Sequence, residues 1–326
     1  MSPERSHGSG HPDLVAENDM ISKNPRIGFV GFGEVAYHFS KGLKEDGIEE
    51  IFAFDKNSKD TAKGEIVRRR ARDADVRLVP GLRQLVGRSD VIFSAVWGSA
   101  ALKVARRTVS YAKPGQFYCD INNTAPSVKT QGAEMLNAKG VQYVDLALFE
   151  APDRDKQRSF MLASGDGARP LKRLMAPYGM KPELVAGGSG RATTIKTLAN
   201  IYYKGIQALC LELVLSAWKV GIDPQLLAPL VVKPVEALPK ADEMAFWIIR
   251  GIVHAERKTA ELESIIRAVR EWGVTPIMLD ATRKRLKSVS DFGLKSTLES
   301  AVRKGSDKAL LKSIGKAQKK RGVKTL

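Results

Sequence analysis

The apolar run Ile27 to Val30 leads directly into a pair of glycines, and this junction constrains the fold more than any other stretch of the chain. Gly31 permits a tight turn, Gly33 lets the backbone come close to a ligand, and the small Ala36 allows the following helix to pack against the strand. The unpaired amides and the dipole at the start of that helix favour an anion such as a pyrophosphate. The junction therefore predicts a strand, a turn and a helix that together bind a dinucleotide.

Short apolar runs alternate with segments of helical length up to about residue 188, and beyond it every long segment has helical period. Strands interleaved with helices predict a doubly wound parallel sheet. The predicted fold class is therefore α/β, a Rossmann-type doubly wound sheet followed by an all-α C-terminal domain. We predict a disordered segment at 1–24, which is polar and lacks apolar periodicity, an NAD(P)-binding Rossmann domain at 25–188, and an all-α substrate and dimerisation domain with a basic tail at 189–326. The predicted strands are 26–30, 51–54, 77–79, 91–96, 116–121, 141–148, 159–163 and 183–186.

Polar residues at the predicted ends of further strands complete the nucleotide cleft, because ligands of open α/β sheets lie beyond the carboxyl ends of the strands. Asp55 closes the second strand, where a carboxylate can accept both ribose hydroxyls. It repels a 2′-phosphate and favours NAD, whereas Lys56 and Lys59 leave NADP as an alternative. Asn122 follows another strand and can reach the nicotinamide side of the cleft. The predicted cofactor-binding residues are Gly31, Phe32, Gly33, Glu34, Val35, Asp55, Lys56, Val96 and Asn122.

A second glycine-rich segment, Gly187 to Gly190, leads into a helix with a polar face. Residues about four apart lie on one face of a helix, so Lys196, Asn200, Tyr203 and Lys204 can point into one cleft. We expect the apolar residues of this helix to pack elsewhere. These residues are Ile195, Leu198, Ile201 and Leu209.

With these motifs the chain resembles the β-hydroxyacid dehydrogenases, the group that includes 6-phosphogluconate and 3-hydroxyisobutyrate dehydrogenases. The resemblance covers residues 26–220, and the remainder resembles a divergent phosphogluconate-dehydrogenase-like C-terminal domain. Four motifs carry it. They are Ile27 to Gly33, Asp120 to Pro126, Asp145-Leu146-Ala147, and the glycine-rich lead into Lys196 and Asn200.

The resemblance implies that Lys196 is the general acid/base at the hydroxyl-bearing carbon and that Asn200 holds the substrate by hydrogen bonds. Hydride loss from a carbinol carbon requires removal of the hydroxyl proton, and a lysine can accept it if its pKa falls from about 10.4 toward 7 to 8. The implied function is an NAD(P)-dependent oxidoreductase that transfers a hydride between nicotinamide and a small, anionic 3-hydroxy acid or sugar-acid alcohol. Whether decarboxylation follows stays open.

The chain departs from the family after the Asp145 motif, where Leu148-Phe149-Glu150-Ala151-Pro152 replaces the usual Ser-Gly-Gly substrate loop. Either the acid group of the substrate binds at another part of the chain, or the substrate is larger and differently charged. One alternative is therefore a reductase of imines or bulky carbonyls, although imine-reducing relatives typically replace the catalytic lysine. A second alternative is a nucleotide-binding redox sensor without catalysis. The predicted substrate-binding residues are Asn122, Phe149, Glu150, Tyr203, Lys204 and His254, the last on a predicted helix over 244–268.

The net charge of +17 raises nucleic acid as a partner, but residues 301–326 carry +8 of it and contain no aromatic residue for base stacking. We therefore disfavour nucleic acid and interpret the tail as solvated. The remaining +9 suits a small anionic substrate. Since no apolar run reaches the length of a membrane span and no secretory layout precedes the first strand, we predict a cytoplasmic protein without a membrane partner.

Cys119 and Cys210 lie far apart in apolar segments, which predicts two buried, reduced thiols. The four histidines form no cluster with ligand spacing, so no metal site is predicted. The helix from Gly190 to Val220 is long for a globular protein and resembles the spine around which the family's dimers interlock. We therefore expect a homodimer.

Overall fold

The computed structural model describes residues 24–60, 62–223, 226–227 and 251–291. The segment predicted to be disordered lies outside these residues except for Asn24. The side chain of Asn24 donates to the Gly47 carbonyl at 2.7 Å and accepts from the Glu49 amide at 3.1 Å, so the folded chain already includes this residue. The basic tail lies outside the described residues as well.

The chain divides into two compact units, Met1–Ala199 and Asn200–Leu326. The sequence places the change of domain at residue 188, whereas this division falls eleven residues later, inside a long helix. Among the described residues, no helix is both long and apolar enough to cross a membrane.

The described residues of the first unit form eight short strands, four of which are buried along their whole length, as expected for a sheet covered on both faces. They are β1 (Ile27–Val30), β2 (Ile51–Phe54), β3 (Arg77–Leu78), β4 (Val91–Ser94), β5 (Phe117–Asp120), β6 (Gln142–Leu148), β7 (Met161–Ser164) and β8 (Glu183–Leu184). Their order in the sheet is β3-β2-β1-β4-β5-β6-β7-β8. The predicted Rossmann-type α/β class is confirmed.

The sheet is parallel except at one pair, β6 and β7, which run antiparallel. The prediction of a doubly wound parallel sheet is therefore wrong at this one pair of strands. Residues 149–160 join the two strands through a single short turn of 3₁₀ helix, Lys156–Arg158. A parallel pair needs a crossover that returns the chain to the starting edge, usually through an α-helix, and this connection contains no α-helix.

Seven helices accompany the strands of the first unit, the last continuing into the second, and two further helices are described there. They are α1 (Glu34–Glu45), α2 (Ala62–Asp73), α3 (Leu82–Arg88), α4 (Ala101–Val109), α5 (Pro126–Asn137), α6 (Ala168–Met175), α7 (Arg191–Lys219), α8 (Ala255–Glu271) and α9 (Ile277–Asp291). Of the predicted helix over 244–268, residues 244–250 lie outside the described residues, residues 251–253 are helical, His254 forms a turn, and α8 ends three residues later than expected.

Apolar layers cover both faces of the sheet. On one face Phe29 stacks on Phe93 with ring centroids 5.2 Å apart, and Phe39 and Leu43 of α1 pack over them. On the other face Tyr118 stacks on a tyrosine of β6 at 5.7 Å. Two covered faces leave the edge at the carboxyl ends of the strands as the place where polar groups gather.

The apolar residues of α7 do not follow the prediction. Leu198 is 61% exposed and Ile201 is 71% exposed, and Leu209 is exposed too, whereas Ile195 packs against a buried cluster that includes Ala147. Apolar side chains surround this helix on all sides, and one neighbouring layer can cover only one side of a helix.

We predict that Gly28→Ala destabilises the protein by about 1–3 kcal/mol, because the added Cβ would lie 2.1 Å from the Ser89 Oγ in the packed layer between β1 and α3. Gly87→Ala is the matched control. There a Cβ meets no atom of the described residues within 4 Å, so alanine in this helix is expected to be neutral or to stabilise by up to about 1 kcal/mol. Urea unfolding of both variants measures the difference, and equal effects would contradict the packing described.

Candidate active site

Four neighbouring strands carry polar residues that lie side by side in the register of the sheet. Ser94 pairs with Asp120, Asp120 with Asp145, and Asp145 with Ser164. All four side chains are buried. This buried polar row lies at the carboxyl ends of β4, β5 and the parallel part of β6, which is the edge where open α/β sheets bind their ligands.

The glycine turn after β1 has two different spatial constraints. Gly31 has φ of +84°, and a Cβ there would lie 2.4 Å from the Ala95 carbonyl oxygen, so only glycine fits. At Gly33 a Cβ would meet no described atom within 4 Å, and α1 begins at the next residue. No side chain caps this helix, and its first turn begins with the amides of Glu34 and Val35, which have no partner within the helix. These residues fit a dinucleotide pyrophosphate.

Asp55 stabilises the glycine turn after β1 by hydrogen bonds. Its carboxylate accepts the amide N–H of Phe32 at 2.9 Å and that of Asn57 at 2.8 Å. Each carboxylate oxygen can accept a further hydrogen bond, so the group can still receive a ribose hydroxyl. The ring of Phe32 is buried in the core, and Lys56 is exposed beside Asp55.

Asn122 connects the loop after β4 to the end of β5 by hydrogen bonds. Its Oδ1 accepts the Val96 amide at 2.6 Å, and its Nδ2 donates to the Ser94 Oγ at 2.9 Å and to an Asp120 carboxylate oxygen at 2.7 Å. Sequence reasoning assigned Asn122 to both cofactor and substrate. In the folded chain its amide is engaged with the protein and sets the position of Val96.

Lys129 and Tyr143 also belong to the polar row, and sequence reasoning missed both. The fully buried Lys129 on α5 donates to the Asp120 carboxylate and carbonyl, each at 2.7 Å, and lies 3.6 Å from the Asp145 carboxylate. Tyr143 donates to the other Asp120 oxygen at 2.8 Å, and burial together with the Asp120 charge raises its pKa well above the usual value, so it stays a neutral donor. The available signal was the spacing of Lys129 with the buried residues of α5. These are Gly132, Ala133 and Leu136.

Asp145 anchors the start of α7. One carboxylate oxygen accepts the amides of Gly190 and Thr193, both at 3.0 Å, and the other accepts the Thr193 hydroxyl at 2.5 Å. The Ala192 amide donates to the Ser164 Oγ at 3.0 Å. A negative charge at a helix N-terminus satisfies its unpaired amides and interacts favourably with its dipole. Residues of the sheet therefore hold the first turn of α7.

Lys196 follows Thr193 by three residues and thus lies one turn along the same side of α7. It is half-buried, and so is Asn200, one further turn on and the first residue of the second unit. Tyr203 and Lys204 are exposed on α7, and His254 precedes α8. The last three side chains belong to the second unit, and their role toward a substrate stays a prediction.

The loop after β6 brings Phe149 to the same end of the first unit. Phe149 and Ile195 of α7 both pack against one buried cluster that includes Ala147 and Ala192, and the Phe149 ring lies 5.5 Å from that of Phe160. Glu150 is exposed and accepts the Phe160 amide at 3.4 Å. An aromatic ring and a carboxylate therefore occupy the loop that supplies backbone donors in the family's usual pattern.

The two cysteines differ from each other. Cys119 is buried as predicted, and burial raises its thiol pKa well above the usual value. Cys210 is exposed on α7, so the prediction that its thiol is buried is wrong. The reason is the one given for the exposed leucines of this helix, that one neighbouring layer can cover only one side of it. Within the described residues, no three His, Cys, Asp or Glu side chains come together as metal ligands.

Comparisons with known proteins give relatives but no family model that matches. An uncharacterised 28.5 kDa protein of Methanothermus fervidus is 29% identical over 266 residues, 82% of this chain and 99% of that one. The 2-(hydroxymethyl)glutarate dehydrogenase of Eubacterium barkeri is 19% identical over 219 residues, 65% of this chain and 70% of the enzyme.

Solved structures share the fold over most of the chain. A conserved protein of unknown function, described as similar to 3-hydroxyacid dehydrogenases, has a TM-score of 0.52 at 25% identity and covers 83% of this chain and 98% of its own. A reductive aminase from Aspergillus terreus, in complex with NADPH and ethyl-5-oxohexanoate, has a TM-score of 0.63 at 18% identity and covers 86% of this chain and 95% of its own. The resemblance to the β-hydroxyacid dehydrogenases drawn from the motifs is confirmed, because the chain is similar in fold to a protein described as 3-hydroxyacid dehydrogenase-like and, in sequence, to one dehydrogenase.

We predict that Gly33→Ala leaves the free energy of unfolding within about 0.5 kcal/mol of wild type but weakens NADH binding at least about tenfold, because the added methyl fills the space in front of the helix amides. Gly31→Ala is the contrasting variant and is expected to lose about 1–3 kcal/mol of stability, because it strains the backbone. Urea unfolding and a fluorescence titration with NADH measure both effects. Unchanged NADH affinity in Gly33→Ala would exclude this turn as the pyrophosphate site.

Proposed function

We propose that the protein is an NAD(P)-dependent oxidoreductase that acts on the CH–OH group of a small, anionic 3-hydroxy acid or sugar acid and, in reverse, on the matching oxo acid. One observation carries the proposal. Asp145 holds the first turn of α7 at one edge of the sheet, and the glycine turn after β1 lies at the same edge. Lys196 therefore belongs to the same unit, and lies near the same edge, as the proposed nucleotide residues.

The cofactor residues are those of the first unit. The open space at Gly33 with the amides of Glu34 and Val35 would hold the pyrophosphate, Asp55 the adenine-side ribose, and the Val96 loop the nicotinamide side. We propose NAD as the preferred cofactor, because the carboxylate of Asp55 repels a 2′-phosphate, although Lys56 beside it is exposed. When bound, the nicotinamide accepts the hydride in oxidation and donates it in reduction.

Lys196 would take the hydroxyl proton as the alcohol is oxidised and return it when the carbonyl is reduced. Asn200, one helical turn further, would hold the substrate oxygen through its amide. Loss of a hydride and a proton from H–C–O–H leaves C=O, so the oxidation balances with Lys196 as the only proton acceptor required. The neutral form of Lys196 must be populated near neutral pH for this role, which requires a pKa well below about 10.4.

Substrate charge is proposed from the excess of basic residues outside the tail, which attracts a small anion. Tyr203, Lys204 and His254 stay predicted substrate contacts. Phe149 and Glu150 are the proposed contacts from the loop after β6. A cytoplasmic location and the absence of a nucleic-acid partner stay predictions.

Reduction of an imine or a bulky carbonyl is the second candidate, and the loop after β6 favours it. The Phe149 and Phe160 rings make this loop apolar, and Glu150 adds a negative charge where a substrate carboxylate would be repelled. A protonated imine carries the opposite charge and would be attracted. Lys196 favours the first candidate, because a lysine is not needed as a base when a hydride adds to an iminium carbon.

The test is NADH and NADPH formation by the purified protein with 3-hydroxy acids and sugar acids, beside oxidation of each reduced cofactor with ketone and amine pairs. We expect turnover of an acid substrate and a loss of kcat of about a hundredfold or more in Lys196→Ala, because the proton acceptor is gone. Lys219→Ala, at the other end of α7, is the matched control and should keep wild-type kcat.

Three outcomes contradict parts of this proposal. Activity that survives in Lys196→Ala removes this lysine from the mechanism. Turnover of ketone and amine pairs alone selects the second candidate. Tight nucleotide binding without turnover of either panel indicates a redox sensor.

A homodimer through α7 is part of the proposal. Large apolar side chains on all sides of this helix are exposed in the single chain, and contiguous exposed apolar surface of this kind marks protein interfaces. A second copy of the same helix would bury them on both chains. These residues include Leu198, Ile201, Ile206, Leu209, Leu211, Val214, Leu215 and Trp218.

We predict that Ile201→Glu converts the dimer into a monomer of 35.7 kDa, because a carboxylate would be buried without a partner in the interface. Lys103→Glu on α4 introduces the same side chain outside α7 and should stay dimeric. Sedimentation velocity at micromolar concentration distinguishes the two masses. A monomeric wild type, or an Ile201→Glu variant that stays dimeric, would exclude α7 as the interface.

A further inference from the structure

Lys129 is the one fully buried cation among the residues that the structure describes, and the proposed chemistry does not use it as a proton donor. Its ammonium lies between two carboxylates of adjacent strands, 2.7 Å from Asp120 and 3.6 Å from Asp145. These carboxylates hold different parts of the site. Lys129 is therefore the bridge between two branches of hydrogen bonds.

The first branch runs toward the cofactor side. The Asp120 carboxylate accepts the Asn122 side chain at 2.7 Å, and Asn122 accepts the Val96 amide at 2.6 Å. The Asp120 carboxylate also accepts the Asn122 backbone amide at 2.9 Å. Asp120 therefore fixes the position of the loop between β4 and α4 through Asn122.

The second branch runs toward Lys196, the proposed general acid/base. The Asp145 carboxylate accepts the amides of Gly190 and Thr193 and the hydroxyl of Ser164, which in turn accepts the amide of Ala192. Lys196 follows this anchored turn directly. Movement of Asp145 would therefore change where Lys196 lies.

The charges make the two branches depend on one another. Two buried carboxylates in adjacent strands repel each other, and the helix N-terminus of α7 compensates Asp145 alone. Without the ammonium, Asp120 keeps only neutral donors, and a buried charge without a counter-charge is strongly unfavourable. Both carboxylates would then have to move or bind protons.

We propose that Lys129 is a positioning residue that couples the cofactor loop at Val96 to the first turn of α7, and so sets the hydride position against the Lys196 amine. The inference rests on the proposed function for its catalytic consequence only. The coupling itself is a property of the folded chain and can be measured without a substrate.

Hydrogen exchange of the full chain, followed by mass spectrometry, tests the coupling. In Lys129→Gln, which keeps a donor but removes the charge, we expect amides in peptides 94–98 and 187–195 to exchange at least about tenfold faster, with peptide 49–54 of β2 unchanged. Thr193→Val removes only the hydroxyl bond to Asp145 and should affect peptide 187–195 alone. Leu43→Ala, buried in the layer over the opposite end of the sheet, controls for general loss of stability. Faster exchange in only one of the two peptides, or in all three, overturns the proposal.

The double variant Lys129→Gln with Asp120→Asn separates positioning from charge balance and serves if the single variant fails to fold. It has the same net charge as the native trio, one negative charge, so folding should recover. We expect both peptides to exchange faster than in wild type, because the bridge is still missing. If both peptides exchange as slowly as in wild type, Lys129 only balances charge, and the proposal is overturned.

Ligand binding and kinetics test the consequence for function. ADP-ribose should bind Lys129→Gln within about twofold of wild type, because its proposed site lies at the ends of β1 and β2, whereas kcat should fall at least about tenfold. An unchanged kcat in a variant with faster exchange in both peptides overturns the catalytic part. A wild type that binds neither ADP-ribose nor NADH overturns the proposed function, and the exchange result then decides the coupling by itself.

Discussion

The rest of the structure depends on the carboxylate of Asp145, which joins a central strand of the sheet to the N-terminus of α7. It accepts two amides and two hydroxyls and lies beside the Lys129 ammonium, so its charge is compensated although it is buried. Because this bond fixes where the helix starts, it also fixes the distance of Lys196 from the edge of the sheet. A sheet and a helix that were joined by apolar packing alone would slide more easily.

The polar row works because neighbouring strands present it in register. Asp120 and Asp145 lie opposite each other, and Ser94 and Ser164 flank them. Neutral donors such as Tyr143, whose raised pKa keeps its hydroxyl protonated, add hydrogen bonds without adding charge. Buried charges in such a row stabilise a single arrangement, because any shift of one strand leaves a carboxylate without its partners. The sheet thus has a hydrogen-bonded layer of buried polar groups at the edge where the carboxyl ends of its parallel strands lie.

Local patterns predicted much of this fold correctly. All eight strands lie within about two residues of the predicted runs, and the glycine turn has the geometry that the spacing of Gly31 and Gly33 indicated. The errors have a common cause. The direction of β7 depends on how compactly the chain returns from β6, and the exposure of Ile201 and Cys210 depends on which neighbours reach α7. Neither property is contained in the periodicity of the segment itself.

The sequence by itself determined the order of strands and helices along the chain, the glycine turn after β1, and the candidates Asp55, Lys196 and Asn200, because these follow from short-range rules of backbone geometry and side-chain chemistry. Only the tertiary structure decided that Lys129 is buried between two aspartates and that Asp145 caps α7. These groups are far apart in the chain, and they meet because parallel strands bring their carboxyl ends to one edge. Burial and charge pairing arise from that meeting, so no local pattern contains them.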